Sequence, residues 1–273
     1  MAASNPPKHA RFLFFGPVIG SNDRLRFGQI KQALGQFKLT AAGRAAASWV
    51  EEEGWRFSPK RLAQRAEDEK AEREFDELYG VNTFQEGING ADVTGDNFDG
   101  RYHYLASTVA KFRRMLDQLR VRYEDFTFID LGSGKGRTIL LAGERPFRRV
   151  IGVEYSHAYH AIALQNIKKY PLKKAGSLES VTNDVATYEF PAGNLIVYNY
   201  NSFAEPVLTR VLENINRAAR EQPRQIYMVF LNLGYINLPD EESNLAYGEQ
   251  LLKRHNLVLR RVFEKYRLYE WVA

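Results

Sequence analysis

Residues 126–137 read Phe-Thr-Phe-Ile-Asp-Leu-Gly-Ser-Gly-Lys-Gly-Arg, and this stretch decides the fold. A run rich in strand-forming side chains ends at Asp130, and a helix-compatible run begins at Thr138. Between these runs, glycines stand at positions 132, 134 and 136. A strand, a glycine-rich turn and a helix in this order predict a site for a nucleotide-like ligand.

The spacing of the glycines separates classes of nucleotide site. Dinucleotide enzymes favour G-x-G-x-x-G, whereas this loop reads G-x-G-x-G behind an acidic residue. Lys135 lies inside the loop, but the phosphate-binding pattern G-x-x-x-x-G-K-[ST] is missing, so the sequence does not predict that kind of loop. The alternative to a ligand site is that the glycine-rich loop is only a tight turn that binds nothing.

Composition excludes several classes of function. The 273-residue chain has no cysteine, which excludes disulfides, zinc-thiolate sites and cysteine nucleophiles. Its net charge of +5 comes from scattered basic residues, which favours ordinary solvated surface over a nucleic-acid face. No apolar run approaches the roughly 18 residues of a membrane span, and the first residues do not read as a signal peptide. We therefore expect a cytoplasmic protein without a membrane partner.

From Ser107 onward the sequence alternates between predicted strands and predicted amphipathic helices. Strands are predicted over residues 126–131, 149–154, 178–183, 194–199, 225–231, 257–263 and 267–272. Alternation of this kind favours an α/β fold with a doubly wound, parallel, Rossmann-like sheet of seven strands. The connection between the last two strands is too short for a parallel crossover, so they should form an antiparallel hairpin, which ordinary NAD-binding sheets lack.

The first third of the chain has no such alternation. Helical character appears over residues 29–53 and 61–78, and a segment rich in Gly, Asn and Asp follows over 79–100 and is predicted to be a loop. We therefore divide the chain into an N-terminal helical extension and loop, residues 1–105, and a ligand-binding domain, residues 106–273. A loop this long inside a compact domain is often functional.

S-adenosylmethionine (SAM) is the ligand that these features predict, and each of its parts requires a different partner. Asp130 is expected to take the cationic amine, Glu154 the ribose hydroxyls, and Asp184 the adenine amino group. Backbone contacts are expected from the loop and from the turn after the third strand, at Gly132, Ser133, Gly134, Gly136 and Asn183. All three acids fall at the carboxyl ends of predicted strands, where open α/β sheets bind ligands, although a single acid there is often only a helix cap.

Three stretches resemble a group of class I SAM-dependent methyltransferases. They are Asp-Leu-Gly-Ser-Gly-Lys-Gly-Arg137, Pro-Phe-Arg-Arg-Val-Ile-Gly-Val-Glu154 and Ala-Ile-Ala-Leu-Gln-Asn166. The order of the sheet in that group resembles that of the Dot1-like lysine methyltransferases. Upstream, residues 74–83 are similar to its element Phe-Asp-x-x-Tyr-Gly-Val-Asp-Thr, with Asn82 at the second Asp position. The resemblance covers Phe75 to the C-terminus and implies the methyltransferase fold and SAM as the cofactor.

The same resemblance suggests residues near the methyl acceptor. Asn201-Ser-Phe203 stands where many methyltransferases have Asn-Pro-Phe, with Ser202 in place of proline. Asn201 is expected to orient the acceptor and Phe203 to shape the entrance of the acceptor site. The alternative is that this segment is only a polar turn between strand and helix, covered by an aromatic side chain. By family analogy, Tyr102 lies near the methionine end of the cofactor and Tyr104 near the acceptor.

The predicted function is methyl transfer from SAM to an unidentified acceptor. A protein lysine or a small amine or hydroxyl compound is favoured over nucleic acid, and the oligomeric state stays open. A non-catalytic SAM-binding regulatory or partner protein is the alternative, and a NAD enzyme is the remaining rival. His157 and His160 are three residues apart, too near for i,i+4 ligation from one helix face, so no metal site is predicted.

Overall fold

The structure is a computed structural model that describes residues 70–84, 106–203, 205–231 and 241–273. All of these fall within one compact unit of the chain, Glu67–Ala273. The helical character predicted over 29–53 and most of the loop predicted over 79–100 lie outside the described residues. The division of the chain at residue 106 stays a prediction.

Seven strands form one sheet in the described part of the chain. They are β1 Phe126–Leu131, β2 Arg149–Glu154, β3 Leu178–Thr182, β4 Asn194–Tyr200, β5 Ile226–Leu231, β6 Leu257–Phe263 and β7 Tyr266–Trp271. Their order is β3-β2-β1-β4-β5-β7-β6. The strands from β1 to β5 are parallel, whereas β7 is antiparallel to both β5 and β6. The doubly wound sheet and its closing hairpin confirm the predicted fold.

Helices flank the sheet. A helix α1 includes residues 70–79, and five further α-helices follow it in the described residues. They are α2 Val109–Gln118, α3 Arg137–Gly143, α4 His157–Lys169, α5 Val207–Glu221 and α6 Glu241–Arg254. Ser156 caps α4, because its hydroxyl accepts the Tyr159 N–H at 3.3 Å.

Two apolar cores cover the two faces of the sheet. One joins Ile129, Leu131 and Val197 to α5 and α6, and the other joins Phe128 and Ile196 to α1, α2 and α3. Every residue of β1 is buried, which is why apolar side chains face both sides of this strand instead of alternating strictly with polar ones.

The strand order places a crevice at the end of β1. β1 lies between β2 and β4, with Leu131 in register with Val153 on one side and with Asn199 on the other. The helices that follow β1 and β4, α3 and α5, pack on opposite faces of the sheet, so the loops that follow β1 and β4 diverge at this point. Open α/β sheets bind their ligands at such a switch point.

The differences from the sequence prediction are small. β4 runs one residue further than predicted because Tyr200 still pairs with Leu231, and β3 ends one residue earlier, at Thr182. β7 is shifted by one residue, and α3 begins at Arg137 rather than Thr138. On α4, Asn166 is buried like Ala163 and donates hydrogen bonds to the Asn82 and Lys135 carbonyls.

Candidate functional site

The glycine loop, residues 132–136, joins β1 to α3 at the carboxyl edge of the sheet. Gly132, Gly134 and Gly136 have φ angles of +84°, +53° and +83°, a region that side chains with a Cβ rarely adopt. The N–H groups of Gly132 and Ser133 both donate to the Val153 carbonyl, at 2.9 and 3.1 Å. These bonds tie the loop to the end of β2.

The loop after β4 lies directly against the glycine loop. A Cβ atom added to Gly132 would lie 2.4 Å from the Cβ atom of Ser202, which is closer than non-bonded carbon atoms approach one another. Gly132 is therefore required for space as well as for its backbone angle. The structure brings together the two segments that the sequence assigned to the cofactor and to the acceptor.

Glu154, at the end of β2, holds the glycine loop. One carboxylate oxygen accepts the Gly134 N–H at 2.7 Å, and the other accepts the Ser156 N–H at 2.8 Å. Burial raises the pKa of Glu154, and the hydrogen bonds from the backbone N–H groups of Ser156 and Gly134 oppose that shift. The side chain predicted to bind ribose is thus already fixed beside the loop.

Asp130 is the penultimate residue of β1 and is only 3% exposed. Burial raises the pKa of its carboxyl group to about 7, the hydrogen bond donated by the Thr138 hydroxyl opposes the shift, and nearby Glu154 adds to it. A carboxyl group in this state is half ionised near neutral pH, so a cationic partner would change its protonation.

Asn183 and Asp184 form the turn after β3, on the same edge of the sheet. One Asp184 oxygen accepts the Ala186 N–H at 2.8 Å, so the residue stabilises its own turn. Asn183 is exposed, and its side-chain oxygen accepts the Thr187 hydroxyl at 3.4 Å. Their predicted contacts with adenine stay predictions.

The residues predicted to serve the acceptor occupy different environments. Asn201 is half-buried with φ +46°, and Phe203 is half-buried and packs on the core beneath α5. Tyr198, three residues before Asn201, faces the other core, where its hydroxyl lies 2.9 Å from that of Ser107. Tyr102 and Tyr104 lie outside the described residues.

Asn199 is a polar residue that the sequence prediction treated only as part of a strand. It is 5% exposed, and its side-chain nitrogen is buried without a hydrogen-bond partner in the structure. The Ser133 hydroxyl, inside the glycine loop, is also buried and unpaired. The only sequence signal for Asn199 was a polar side chain inside an apolar strand.

These features fit SAM. The glycine loop packs so closely on its neighbours that a Cβ at Gly132 would meet Ser202 and one at Gly136 would meet Ala163, and Asn199 and Ser133 offer unused hydrogen-bonding groups near the switch point. A ligand with carboxylate, hydroxyl and ring-nitrogen acceptors satisfies such groups. The carboxyl groups at the ends of β1, β2 and β3 suit its amine, ribose hydroxyls and adenine amino group.

Metal ligands do not cluster among the described residues. No group of three or more His, Cys, Asp or Glu side chains there is arranged to hold a metal ion. His160 instead lies 2.8 Å, through its Nδ1 atom, from the Ser180 hydroxyl. None of the described helices is long and apolar enough to cross a membrane.

Comparisons with known proteins give structural matches only. No family model and no curated protein matches the chain. It is similar to the pyocyanin biosynthetic protein PhzM, at 15% identity and a TM-score of 0.43, over 58% of this chain and 53% of PhzM. The chain thus spans about half the length of PhzM.

Two further solved structures are similar to the chain. One is geranyl diphosphate C-methyltransferase from Streptomyces coelicolor A3(2), solved with Mg²⁺, geranyl diphosphate and S-adenosyl-L-homocysteine, at 16% identity over 70% of this chain and 77% of that one, with a TM-score of 0.46. The other is a SAM-dependent methyltransferase from Aquifex aeolicus, at 15% identity, with a TM-score of 0.43. That match covers 61% of this chain and 100% of the Aquifex aeolicus chain. The strand order and closing hairpin of the chain itself define its class I methyltransferase fold.

Proposed function

We propose that the chain is a SAM-dependent methyltransferase. The observation that carries this proposal is the glycine loop at the switch point between β1 and β4, with Asp130 and Glu154 buried beside it. Such a loop allows the backbone to approach a ligand closely, and the acids match the polar groups of SAM. SAM, when bound, supplies a methyl group already activated by the sulfonium.

The residues of the chain then have to align the acceptor and exclude water. In-line transfer to an activated methyl group gains much of its rate from such alignment. The Asn201 side chain offers an oxygen that accepts an N–H or O–H of the acceptor and so orients its lone pair toward the methyl group. Phe203 forms an apolar wall beside it. A protein lysine or a small amine or hydroxyl compound fits this arrangement.

Calorimetry with SAM, S-adenosylhomocysteine and NAD tests the cofactor. We expect both adenosyl ligands to bind and NAD not to bind; NAD binding in the absence of SAM binding contradicts the proposal. Transfer of tritium from labelled SAM to protein, nucleic acid or metabolite fractions of a cell extract then identifies the acceptor class. The absence of label from every fraction would argue against transferase activity.

Gly132→Ala and Gly193→Ala are a matched pair of variants. Both glycines have positive φ angles, +84° and +90°, so both substitutions strain the backbone. Only at Gly132 does the new Cβ collide with Ser202; at Gly193 the nearest atom is Arg148 Nη1, at 3.4 Å. We expect Gly132→Ala to weaken S-adenosylhomocysteine binding at least tenfold, with Gly193→Ala unchanged.

A further inference from the structure

Two cationic side chains flank the last glycine of the loop. Lys135 and Arg137 stand on either side of Gly136, where basic residues of a nucleotide-binding loop commonly meet phosphate. In this structure they are only 1% and 2% exposed. Both side chains are therefore buried in the structure instead of projecting into solvent.

Arg137 is held by the upstream strap, which we define as residues 70–84. Its Nε–H donates to the Thr83 hydroxyl at 2.7 Å, and its Nη1 forms a buried ion pair with Glu72. Its Nη2 lies 3.6 Å from a carboxylate oxygen of Asp76. Two strap carboxylates thus balance one buried cation.

Asp76 also shapes the strap itself. Its carboxylate accepts the N–H groups of Thr83 and Phe84, each at 2.6 Å, together with the Thr83 hydroxyl. These bonds fold the end of the strap back onto α1, so that Phe84 ends beside the glycine loop.

Lys135 is held by the same end of the strap. Its Nζ donates to the Asn82 side-chain oxygen at 3.2 Å and to the Phe84 carbonyl at 3.1 Å. Asn166 of α4 joins both partners, because its side-chain N–H₂ donates to the carbonyls of Lys135 and Asn82, each at 2.9 Å. The ammonium group of Lys135 is thereby bound to the end of the strap.

We infer that the upstream strap sets the selectivity of the glycine loop, by keeping the Lys135 and Arg137 cations out of the cleft. The inference rests on the proposed function. SAM is cationic at its sulfonium, so an exposed cation in the loop would repel it and attract a phosphate-bearing adenosine nucleotide instead. Glu72, Asp76 and Asn82 are accordingly positioning residues that act through Lys135 and Arg137.

The test compares the affinities for SAM and for ADP in the full chain, by calorimetry. Glu72→Gln combined with Asp76→Asn removes both strap charges with little change in size. We expect SAM to bind at least tenfold more weakly and ADP at least tenfold more tightly. Adding Arg137→Met to these substitutions should cancel most of the gain for ADP, because the freed guanidinium group of Arg137 is its cause.

Glu74→Gln is the matched control, since Glu74 lies on the same helix in an exposed ion pair with Lys70 at 3.5 Å. It should leave both affinities unchanged. Equal weakening of both ligands, or no change in their ratio, overturns the inference, since a merely structural strap affects both alike.

Asn82→Ala keeps the inference testable if the double variant does not fold. It removes only the side-chain contact to Lys135 and should shift the ratio in the same direction; an unchanged ratio again overturns the inference. Failure of the wild-type chain to bind SAM is a separate result, which contradicts the proposed function.

Discussion

Asp130 is a carboxyl group that the fold holds away from water at the end of β1. Burial raises its pKa to about 7, so it is mostly protonated at pH 6 and mostly ionised at pH 8. If it pairs with the cofactor amine, binding requires the ionised form. We predict that S-adenosylhomocysteine binds about tenfold more tightly at pH 8 than at pH 6, as measured by calorimetry.

Asp130→Asn tests both this pairing and the stability of the fold. When the pKa of a carboxyl group is raised in the native state, the folded protein loses stability as pH increases from about 4 to 7, because the carboxyl group ionises at a lower pH in the unfolded chain. The raised pKa corresponds to a loss on the order of 4 kcal/mol across that window. Urea unfolding at pH 5 and 8 should show a flatter dependence in Asp130→Asn, which should also lose the pH dependence of binding. A variant with the slope of the wild type would contradict the assignment.

Asn199 and Asn214 are two buried asparagines with opposite hydrogen-bonding states. The Asn199 side-chain nitrogen is unpaired, whereas that of Asn214 donates to the Ala186 carbonyl at 2.9 Å. A buried donor without a partner costs about 1–3 kcal/mol, so Asn199→Leu should raise the free energy of unfolding by about 1 kcal/mol and Asn214→Leu should lower it. Chemical denaturation measures both. A simultaneous loss of methyl transfer in Asn199→Leu would indicate that a ligand normally uses this donor.

At the scale of single residues, the sequence could predict where in an element a residue lies but not which residue it hydrogen-bonds. Asp130, Glu154 and Asp184 were placed correctly at strand ends, because strand ends follow from apolar runs. The hydrogen bonds of Glu154 to the glycine loop and the unpaired nitrogen of Asn199 depend on distances between segments. Periodicity along the chain contains no such distances.

Helix α1 is an element that the sequence assigned to the extension and that packs on the sheet domain. Phe75 is buried against Tyr79 and Tyr170, with ring centroids 5.0 and 5.8 Å away, whereas Leu78 on the same helix is 74% exposed. We predict that Phe75→Ala costs about 3–5 kcal/mol of unfolding free energy and that Leu78→Ala costs almost nothing. Thermal and urea unfolding of the two variants provide the comparison; equal effects would show that α1 does not belong to the core.

The strands were more predictable than the contacts of the strap, because a strand depends on neighbouring residues in the sequence and the strap contacts join distant ones. β1, β2 and β6 have the predicted bounds. β1 and β2 are buried on both faces and read as local apolar runs, whereas the mostly exposed edge strand β6 is marked by its Val and Leu residues. The partners of Arg137 and Lys135 lie 65 and 53 residues upstream, at Glu72 and Asn82. A charged stretch such as 61–78 usually indicates a solvated helix face, so local sequence cannot show that one of its carboxylates is buried in an ion pair.

At the scale of the whole molecule, the boundary of the folded unit follows from these long-range contacts. A chain that begins at residue 106 lacks Glu72, Asp76 and Thr83, which hold the buried guanidinium of Arg137. It also lacks Phe75 and Val81, which belong to the core on that face of the sheet. A chain that begins at residue 67 keeps all five.

We therefore predict that residues 67–273 fold on their own and bind S-adenosylhomocysteine, and that residues 106–273 do not do so stably. Breaking a buried ion pair by removing one partner costs about 3–5 kcal/mol, which in a domain of this size lowers the melting temperature by roughly 10 °C or more. Circular dichroism melts and calorimetry on both fragments measure this difference. Equal melting temperatures would place the boundary at residue 106, as the sequence pattern alone suggested, and would mean that the strap adds selectivity without stabilising the fold.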